Sequence, residues 1–138
     1  MFHMSSPIRI GINGFGRIGR NYLRASLTGD SNITVVAVND LSDAKTLATL
    51  YEWDSIFGHT DNVHYSQDSL LIDEKQIAVF NEKEPEKIPW SDAEVDVVIE
   101  ATGRFTSEQD AQNHIGGSVK KLLFQLLPVV MFKRSTTP

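Results

Sequence analysis

Residues 8–20 read IRIGINGFGRIGR, a run of alternating apolar residues followed by three spaced glycines. The alternation predicts a β-strand over residues 8–12, which follows a Ser-Ser-Pro sequence as a strand follows a turn. Apolar residues then recur at helical spacing as far as Leu27, and Gly29 is a typical helix stop. The stretch therefore predicts a strand, a glycine-rich turn and a helix in direct succession.

A second strand is predicted at residues 33–38, a β-branched apolar run that ends before Asp40. Its continuous apolar character is typical of a strand covered on both faces, and it completes a βαβ unit. The intervening glycines, Gly14, Gly16 and Gly19, form the pattern GxGxxG, and Asp40 follows about 20 residues later. Together these features predict a dinucleotide-binding domain of the Rossmann type.

Each residue of the motif has its own predicted role. Gly14 permits the tight turn, Gly16 lets the backbone approach a pyrophosphate, and Gly19 lets the helix pack closely on the strand. The pyrophosphate is expected at the first amides of the helix, at Arg17 and Ile18, where the helix dipole favours negative charge.

Asp40 favours NAD over NADP as the ligand. Its carboxylate can accept hydrogen bonds from both hydroxyls of the adenosine ribose, while its charge repels the 2′-phosphate of NADP. The alternative interpretation of Asp40 is an acid that only orders the turn after its strand. Arg17 could add a charge contact to the phosphates, whereas Arg20 and Arg24 are expected on a solvated helix face.

The remaining sequence predicts an α/β fold. A second helix is expected after a cap at Ser42 or Asp43, and Thr102 and Gly103 follow a buried strand, where ligands bind in open α/β sheets. Hairpin strands are predicted at residues 63–65, 70–72 and 77–80. A buried strand is predicted at residues 95–100 and a further helix at residues 107–115. We therefore expect a Rossmann-type, doubly wound, mostly parallel sheet with a small antiparallel insert.

Composition excludes several classes of function. The 138 residues carry a net charge of -5, and the 13 Lys and Arg residues form no run, so no nucleic-acid partner is expected. The absence of cysteine excludes disulfides, thiolate metal sites and a cysteine nucleophile within these residues, and no other ligand cluster predicts a metal site. With no secretory signal and no apolar run of membrane-spanning length, we expect no membrane association and a cytoplasmic location.

Longer stretches closely resemble phosphorylating, NAD-dependent glyceraldehyde-3-phosphate dehydrogenase. The resemblance includes residues 10–20, 38–40, 50–55 and 100–106 and extends over residues 8–121, so it concerns the N-terminal NAD-binding region of that homotetrameric family. It implies NAD as the cofactor. It also implies three sets of contacts: Asn13, Phe15, Gly16, Arg17 and Ile18 on the pyrophosphate, Asp40 on the adenosine ribose, and Thr102, Gly103 and Phe105 on the adenine side.

The chain departs from the family in two places. It has Asn81-Glu82-Lys83 where members usually have an arginine, and residues 122–138 resemble nothing in the family. We expect residues 1–121 to form the NAD-binding domain and residues 122–138 to be a non-family tail produced by a frameshift or premature stop. The domain would then be incomplete, and the catalytic domain would be absent.

Three hypotheses about function follow. In the family, a cysteine thiolate attacks the aldehyde, hydride passes to the nicotinamide, and phosphate releases the resulting thioester. The first hypothesis is therefore that this cysteine-free chain is an inactive NAD-binding fragment, the product of a decayed gene. Alternatively, it is an interaction protein that docks on intact dehydrogenase subunits through the apolar residues 122–132. Those residues could also form a substitute core strand ending at Pro128 or an aggregation-prone tail. The third hypothesis is a working NAD enzyme of another type.

Overall fold

The computed structural model describes residues 7–29, 32–54, 58–103, 119, 121–126 and 129–134. The two helices are α1 (Arg17–Thr28) and α2 (Ala44–Glu52), and short 3-10 helices lie at Pro85–Lys87 and Trp90–Ala93. The strands are β1 (Ile8–Asn13), β2 (Ile33–Asn39), β3 (Trp53–Asp54), β4 (Gly58–His59), β5 (Val63–Tyr65), β6 (Ser69–Ile72), β7 (Lys75–Phe80), β8 (Val97–Glu100), β9 (Lys121–Leu126) and β10 (Val129–Arg134).

Eight of the strands form one sheet in the order β10-β9-β8-β1-β2-β7-β6-β5. The central pairs are parallel: β9 with β8, β8 with β1, β1 with β2, and β2 with β7. The outer pairs β5–β6, β6–β7 and β9–β10 are antiparallel, and β3 and β4 form a separate small ribbon. The prediction of an α/β fold with a mostly parallel sheet and a small antiparallel insert is confirmed.

The chain adds strands on both sides of β1, and this strand order indicates where along the sheet a ligand would bind. After β1 the chain passes through α1 to β2 on one side, and later it returns to β8 on the other side. In open sheets of this kind, ligands bind outside the carboxyl ends of the strands where the winding direction reverses. This point lies between β1 and β8.

Both faces of the central sheet are covered, as the continuous apolar runs predict. In β8, Val97 and Ile99 belong to the core cluster that contains Leu23 of α1 and Leu47 of α2, whereas Val98 packs in a second cluster with Trp90. Neighbouring strand residues point to opposite faces, so each face has its own core.

Local signals explain where several elements begin. Asp43 caps α2 by accepting a hydrogen bond from the backbone N–H of Thr46 at 2.9 Å, which settles the choice between Ser42 and Asp43. The strand predicted at residues 95–100 begins at Val97, because the preceding residues turn through a 3-10 helix and Glu94 is left-handed.

The last part of the chain is described only in its backbone. Residues 121–126 form β9, parallel to β8, and residues 129–134 return as β10. The substitute-strand interpretation of residues 122–132 thus agrees with the backbone as far as Leu126. The helix predicted at residues 107–115 lies outside the described residues, as does Phe105. None of the helices in the described ranges has the length and apolar character needed to cross a membrane.

Candidate cofactor-binding site

A cleft of about 260 Å³ opens at the carboxyl ends of β1, β2 and β8, where the winding reverses. We call it the strand-end cleft. Backbone hydrogen bonds fix its walls: Gly14 donates to the carbonyl of Asn39 and Ala101 donates to that of Asn13, both at 2.8 Å. The residues that line it are Asn13, Gly14, Gly16, Asn39, Asp40, Leu41, Glu82, Lys83, Ala101 and Thr102.

The three glycines of the motif occupy three different environments. Gly14 has a φ of +98°, and a Cβ built on it would lie 2.8 Å from the backbone nitrogen of Thr102. A Cβ on Gly19 would lie 2.2 Å from the carbonyl oxygen of Gly14. Among the described residues, a Cβ on Gly16 would meet no atom within 4 Å apart from its chain neighbours, although Gly16 lines the cleft. Gly14 and Gly19 are therefore required by the protein itself, whereas Gly16 keeps a surface of the cleft open.

The start of α1 belongs to this glycine loop and has no capping side chain at its N-cap. Gly16 is the N-cap residue, no side chain caps the first turn, and the first turn contains no acid. The N-terminal amides and the helix dipole together favour an anion at this position. Ile18, which was predicted beside the phosphates, lies half-buried in this first turn.

Asp40 is held by the turns on either side of it. Its Oδ2 accepts a hydrogen bond from the backbone N–H of Phe15 at 2.8 Å, and its Oδ1 accepts one from that of Ser42 at 3.0 Å. Asn81 donates to the Asp40 carbonyl at 2.9 Å. Each carboxylate oxygen has a further lone pair, so the same side chain can order the turn and accept ribose hydroxyls in the cleft.

A buried polar network forms the floor of the cleft. Glu100, which is 2% exposed, accepts a hydrogen bond from Asn13 Nδ2 at 2.9 Å on Oε1. Its Oε2 accepts from the N–H of Thr102 at 3.1 Å and from the Thr102 hydroxyl at 2.5 Å. Asn13 Oδ1 in turn accepts from Asn39 Nδ2 at 2.8 Å, and the Asn39 side chain exchanges two hydrogen bonds of 2.9 Å with the backbone of Glu82.

The arginines of α1 do not form a solvated face. Arg17 pairs with the buried Asp54 at 2.6 Å, and Arg20, 8% exposed, donates to the carbonyl of Phe15 at 3.1 Å. Burial lowers the pKa of Arg20 below its usual value, and the nearby Arg17 acts in the same direction. Arg24 stacks on the ring of Tyr51 at 4.1 Å. The expectation of a solvated face is wrong for Arg20 and Arg24, because Arg20 contacts the Phe15 carbonyl and Asp54, and Arg24 contacts Tyr51 and Thr60.

The other predicted residues lie in different surroundings. The Phe15 ring is in the core, 6.2 Å from that of Tyr51, so its backbone rather than its ring faces Asp40. Gly103 is exposed with a φ of +75°. Thr102 lines the cleft.

Sequence reasoning missed five residues of the cleft: Asn39, Leu41, Glu82, Lys83 and Ala101. Asn39 and Leu41 flank Asp40 at the end of β2, and the rule that ligands bind at carboxyl ends of strands could have included them. Glu82 and Lys83 follow β7, whose place beside β2 is not visible in the sequence. In the described part of the chain, no group of three or more His, Asp and Glu side chains could hold a metal ion.

The decisive comparison is with a sequence model of a protein family. Residues 8–108 match the model described as glyceraldehyde 3-phosphate dehydrogenase, NAD binding domain. The chain belongs to the glyceraldehyde-3-phosphate dehydrogenase family. The matched region contains β1 to β8 and every residue that lines the strand-end cleft. The cofactor that the sequence motif predicts, NAD, is the cofactor of this domain.

Individual members of the glyceraldehyde-3-phosphate dehydrogenase family are similar over the same region. The chain is 52% identical over 116 residues to glyceraldehyde-3-phosphate dehydrogenase 1 of Bacillus cereus, covering 83% of this chain and 34% of that protein. It is 47% identical over 117 residues to the Geobacillus stearothermophilus enzyme, covering 84% and 35%, and 45% identical over 119 residues to enzyme 1 of Giardia intestinalis, covering 85% and 35%. The chain thus spans about a third of the length of these curated relatives.

Proposed function

We propose that this chain binds NAD in the strand-end cleft as the cofactor-binding part of a glyceraldehyde-3-phosphate dehydrogenase family oxidoreductase. The observation that carries the proposal is Gly16. It lines the cleft, a Cβ built on it would meet no atom of the described residues within 4 Å apart from its chain neighbours, and as a glycine N-cap it places no side chain over the first turn of α1. A diphosphate needs this combination of close backbone approach and N–H donors.

The remaining contacts follow from the walls of the cleft. The pyrophosphate lies over Gly16 and the first amides of α1, at Arg17 and Ile18, and the adenosine ribose lies on Asp40. We assign Thr102, Gly103 and Phe105 to the side of the cleft that holds the adenine. Lys83, which also lines the cleft, is the cation nearest in sequence to the family's usual arginine.

Asp40 supports selectivity for NAD. Two backbone amides hold its carboxylate in place, so it cannot easily turn away from a ligand. A 2′-phosphate on the ribose would bring a second negative charge against this carboxylate, whereas ribose hydroxyls can donate to it.

We also propose that these 138 residues bind the cofactor without performing the family's oxidation by themselves. Bound NAD supplies a hydride acceptor. The chain's own residues bind and orient it, but they include no cysteine to act as the nucleophile that the resemblance implies. We attribute the departure of residues 122–138 from the family to a change of reading frame, as in a decayed gene, and the nucleotide sequence around codon 122 tests this origin.

Isothermal titration calorimetry with NAD tests the binding proposal. The chain should bind NAD with measurable heat, and Asp40→Ala should weaken binding, because it removes the ribose acceptor. NADP should bind more weakly than NAD to the unmodified chain. Absence of heat with NAD, for a chain that circular dichroism shows to be folded, would exclude the proposed function.

A second candidate function is docking on intact dehydrogenase subunits. The observation that favours it is β10, which is the outermost strand of the sheet and whose sequence begins with four apolar residues, 129–132. Unpaired edge strands are templates for pairing with another chain. Co-purification with full-length dehydrogenase, lost when residues 127–138 are deleted, would support this function, and co-purification that survives the deletion would exclude the edge as the contact.

A further inference from the structure

The buried Glu100 is an unusual residue for the floor of an anion-binding cleft. A buried carboxylate is costly unless several donors compensate it, and a bound diphosphate would add negative charge nearby. Glu100 is nevertheless only 2% exposed, and its two oxygens face different elements. Oε1 faces Asn13 at the end of β1, and Oε2 faces the backbone and hydroxyl of Thr102.

These two partners line the strand-end cleft from the ends of two neighbouring strands, β1 and β8. Asn13 immediately precedes the glycine loop, and Thr102 lies in the turn after β8. The walls are also in close contact, since a Cβ on Gly14 would lie 2.8 Å from the Thr102 nitrogen. Glu100 therefore joins the residue before the glycine loop to the Thr102 turn, next to this close contact.

A carboxylate gives this network a direction that a neutral amide would not. It can only accept hydrogen bonds, so Asn13 must turn its Nδ2 towards Glu100 and its Oδ1 towards Asn39. Asn39 must then donate to Asn13 and, through the same amide, to the Glu82 carbonyl. The orientation of each amide, and with it the position of the loop after β7, follows from a Glu100 side chain that accepts hydrogen bonds on both of its oxygens.

We propose that Glu100 is a positioning residue for NAD binding, whose buried carboxylate holds the glycine loop, the Thr102 turn and the Glu82 loop in register across the strand-end cleft. The inference rests on the proposed function. In this proposal the Asn13 side chain holds Glu100 and Asn39 in place, and Asn13 contacts the cofactor through its backbone.

An isosteric exchange tests the proposal. In Glu100→Gln, the new amide must direct its N–H₂ either at Asn13 Nδ2 or at the two donors of Thr102, so one buried donor loses its acceptor. The double variant Asn13→Asp with Glu100→Gln restores the pairings between these three residues. The introduced glutamine would donate to the introduced aspartate and accept from Thr102, and the net charge equals that of the unmodified chain. A buried unsatisfied donor corresponds to about a tenfold change in an equilibrium constant.

The measurement is the Kd for NAD by calorimetry at a temperature where each variant is folded. We expect Glu100→Gln to raise Kd about tenfold and the double variant to recover most of this loss. Asp96→Ala is the matched control. Asp96 Oδ2 accepts a hydrogen bond from the Arg9 N–H at 3.1 Å. This bond joins the amino ends of β1 and β8, whereas the cleft lies at their carboxyl ends. Its loss should lower the melting temperature and leave Kd unchanged.

The outcomes separate the two proposals. If the unmodified chain binds NAD and folded Glu100→Gln binds equally well, or if the double variant binds no better than the single one, the positioning role is wrong while the proposed function stands. If the unmodified chain binds no NAD, both are wrong. If Glu100→Gln does not fold, the pair Thr102→Val and Thr102→Ser replaces it in the test. Only the serine variant keeps the hydroxyl bond to Glu100. Equal Kd values for NAD in these two variants would overturn the positioning role of Glu100.

Discussion

Replacing Gly19 with alanine should separate the structural part of the glycine motif from its ligand-binding part. The added Cβ would lie 2.2 Å from the Gly14 carbonyl oxygen and 3.1 Å from Ile12 Cγ2. Since real Cβ contacts essentially never fall below 3.0 Å, the helix must move away from the glycine loop. The obstacle is backbone, which cannot rotate aside as the end of a long side chain can.

The size of the effect follows from two opposing contributions. Forcing extra atoms into a packed site costs about 1–3 kcal/mol, and a rigid carbonyl places this case at the upper end. The better helix propensity of alanine returns about 1 kcal/mol. We therefore expect a net loss of about 2 kcal/mol in the free energy of unfolding, which for a domain of this size is a fall of about 8 °C in melting temperature.

Urea denaturation followed by circular dichroism measures this loss, and Gly16→Ala is the control. Apart from its chain neighbours, the added Cβ would meet no atom of the described residues within 4 Å, so the free energy of unfolding of this variant should remain within about 1 kcal/mol of that of the unmodified chain while NAD binding is lost. A Gly19→Ala variant as stable as Gly16→Ala would refute the inference that Gly19 is required by the contact between α1 and the loop.

Three further predictions concern single side chains. Asp43→Asn should keep the cap on α2 but remove the pH dependence of its contribution to stability. Hydrogen bonds from Thr46 lower the pKa of Asp43, so the ionised side chain stabilises the folded chain above the usual carboxyl pKa. In acid unfolding, the unmodified chain should lose this advantage over the variant as the pH falls through the lowered pKa. Asp54→Ala should lower the free energy of unfolding by about 3 kcal/mol in urea titrations, because it leaves the buried Arg20 without its carboxylate, and an unchanged midpoint would contradict this. Asp40→Asn should reduce the ratio of NADP to NAD dissociation constants measured by calorimetry, because it removes the charge that opposes the 2′-phosphate, and a constant ratio would show that selectivity lies elsewhere.

The βαβ unit could be predicted because its signals are local. Residues 8–12 and 33–38 show strand patterns in themselves, and the glycine spacing assigns a separate task to each glycine. The environments of Gly14 and Gly19 agree with their assigned roles in the turn and in helix packing. Asp43 could be predicted as one of two caps for the same reason, since an N-cap bonds within its own first turn.

The floor of the cleft could not be predicted because its partners are distant in sequence. Asn13 and Glu100 are 87 residues apart, and a polar residue at a strand end looks like the ordinary start of a loop. Arg20 was misassigned for a related reason. A charged residue on an amphipathic helix is usually solvated, and its sequence does not show that the buried Asp54 lies beside it.

Packing across the sheet was equally invisible. A Cβ on Gly11, within β1, would lie 2.6 Å from the Trp90 ring, so Gly11 is in as close contact as Gly14 and Gly19, although no pattern marks it. Trp90 belongs to a 3-10 helix that no periodic signal predicted.

Amide hydrogen exchange with and without saturating NAD tests the central claim most directly, because it locates the ligand as well as detecting it. The structure contains another cavity, of about 420 Å³, which residues of α1 such as Arg24 line together with Tyr51, but none of its described lining residues is a glycine. We predict that NAD slows exchange at residues 14–18, 40–42 and 101–103 around the strand-end cleft. Protection confined to the Arg24 and Tyr51 cavity, or no protection at all, would contradict the assignment of the cleft as the NAD site.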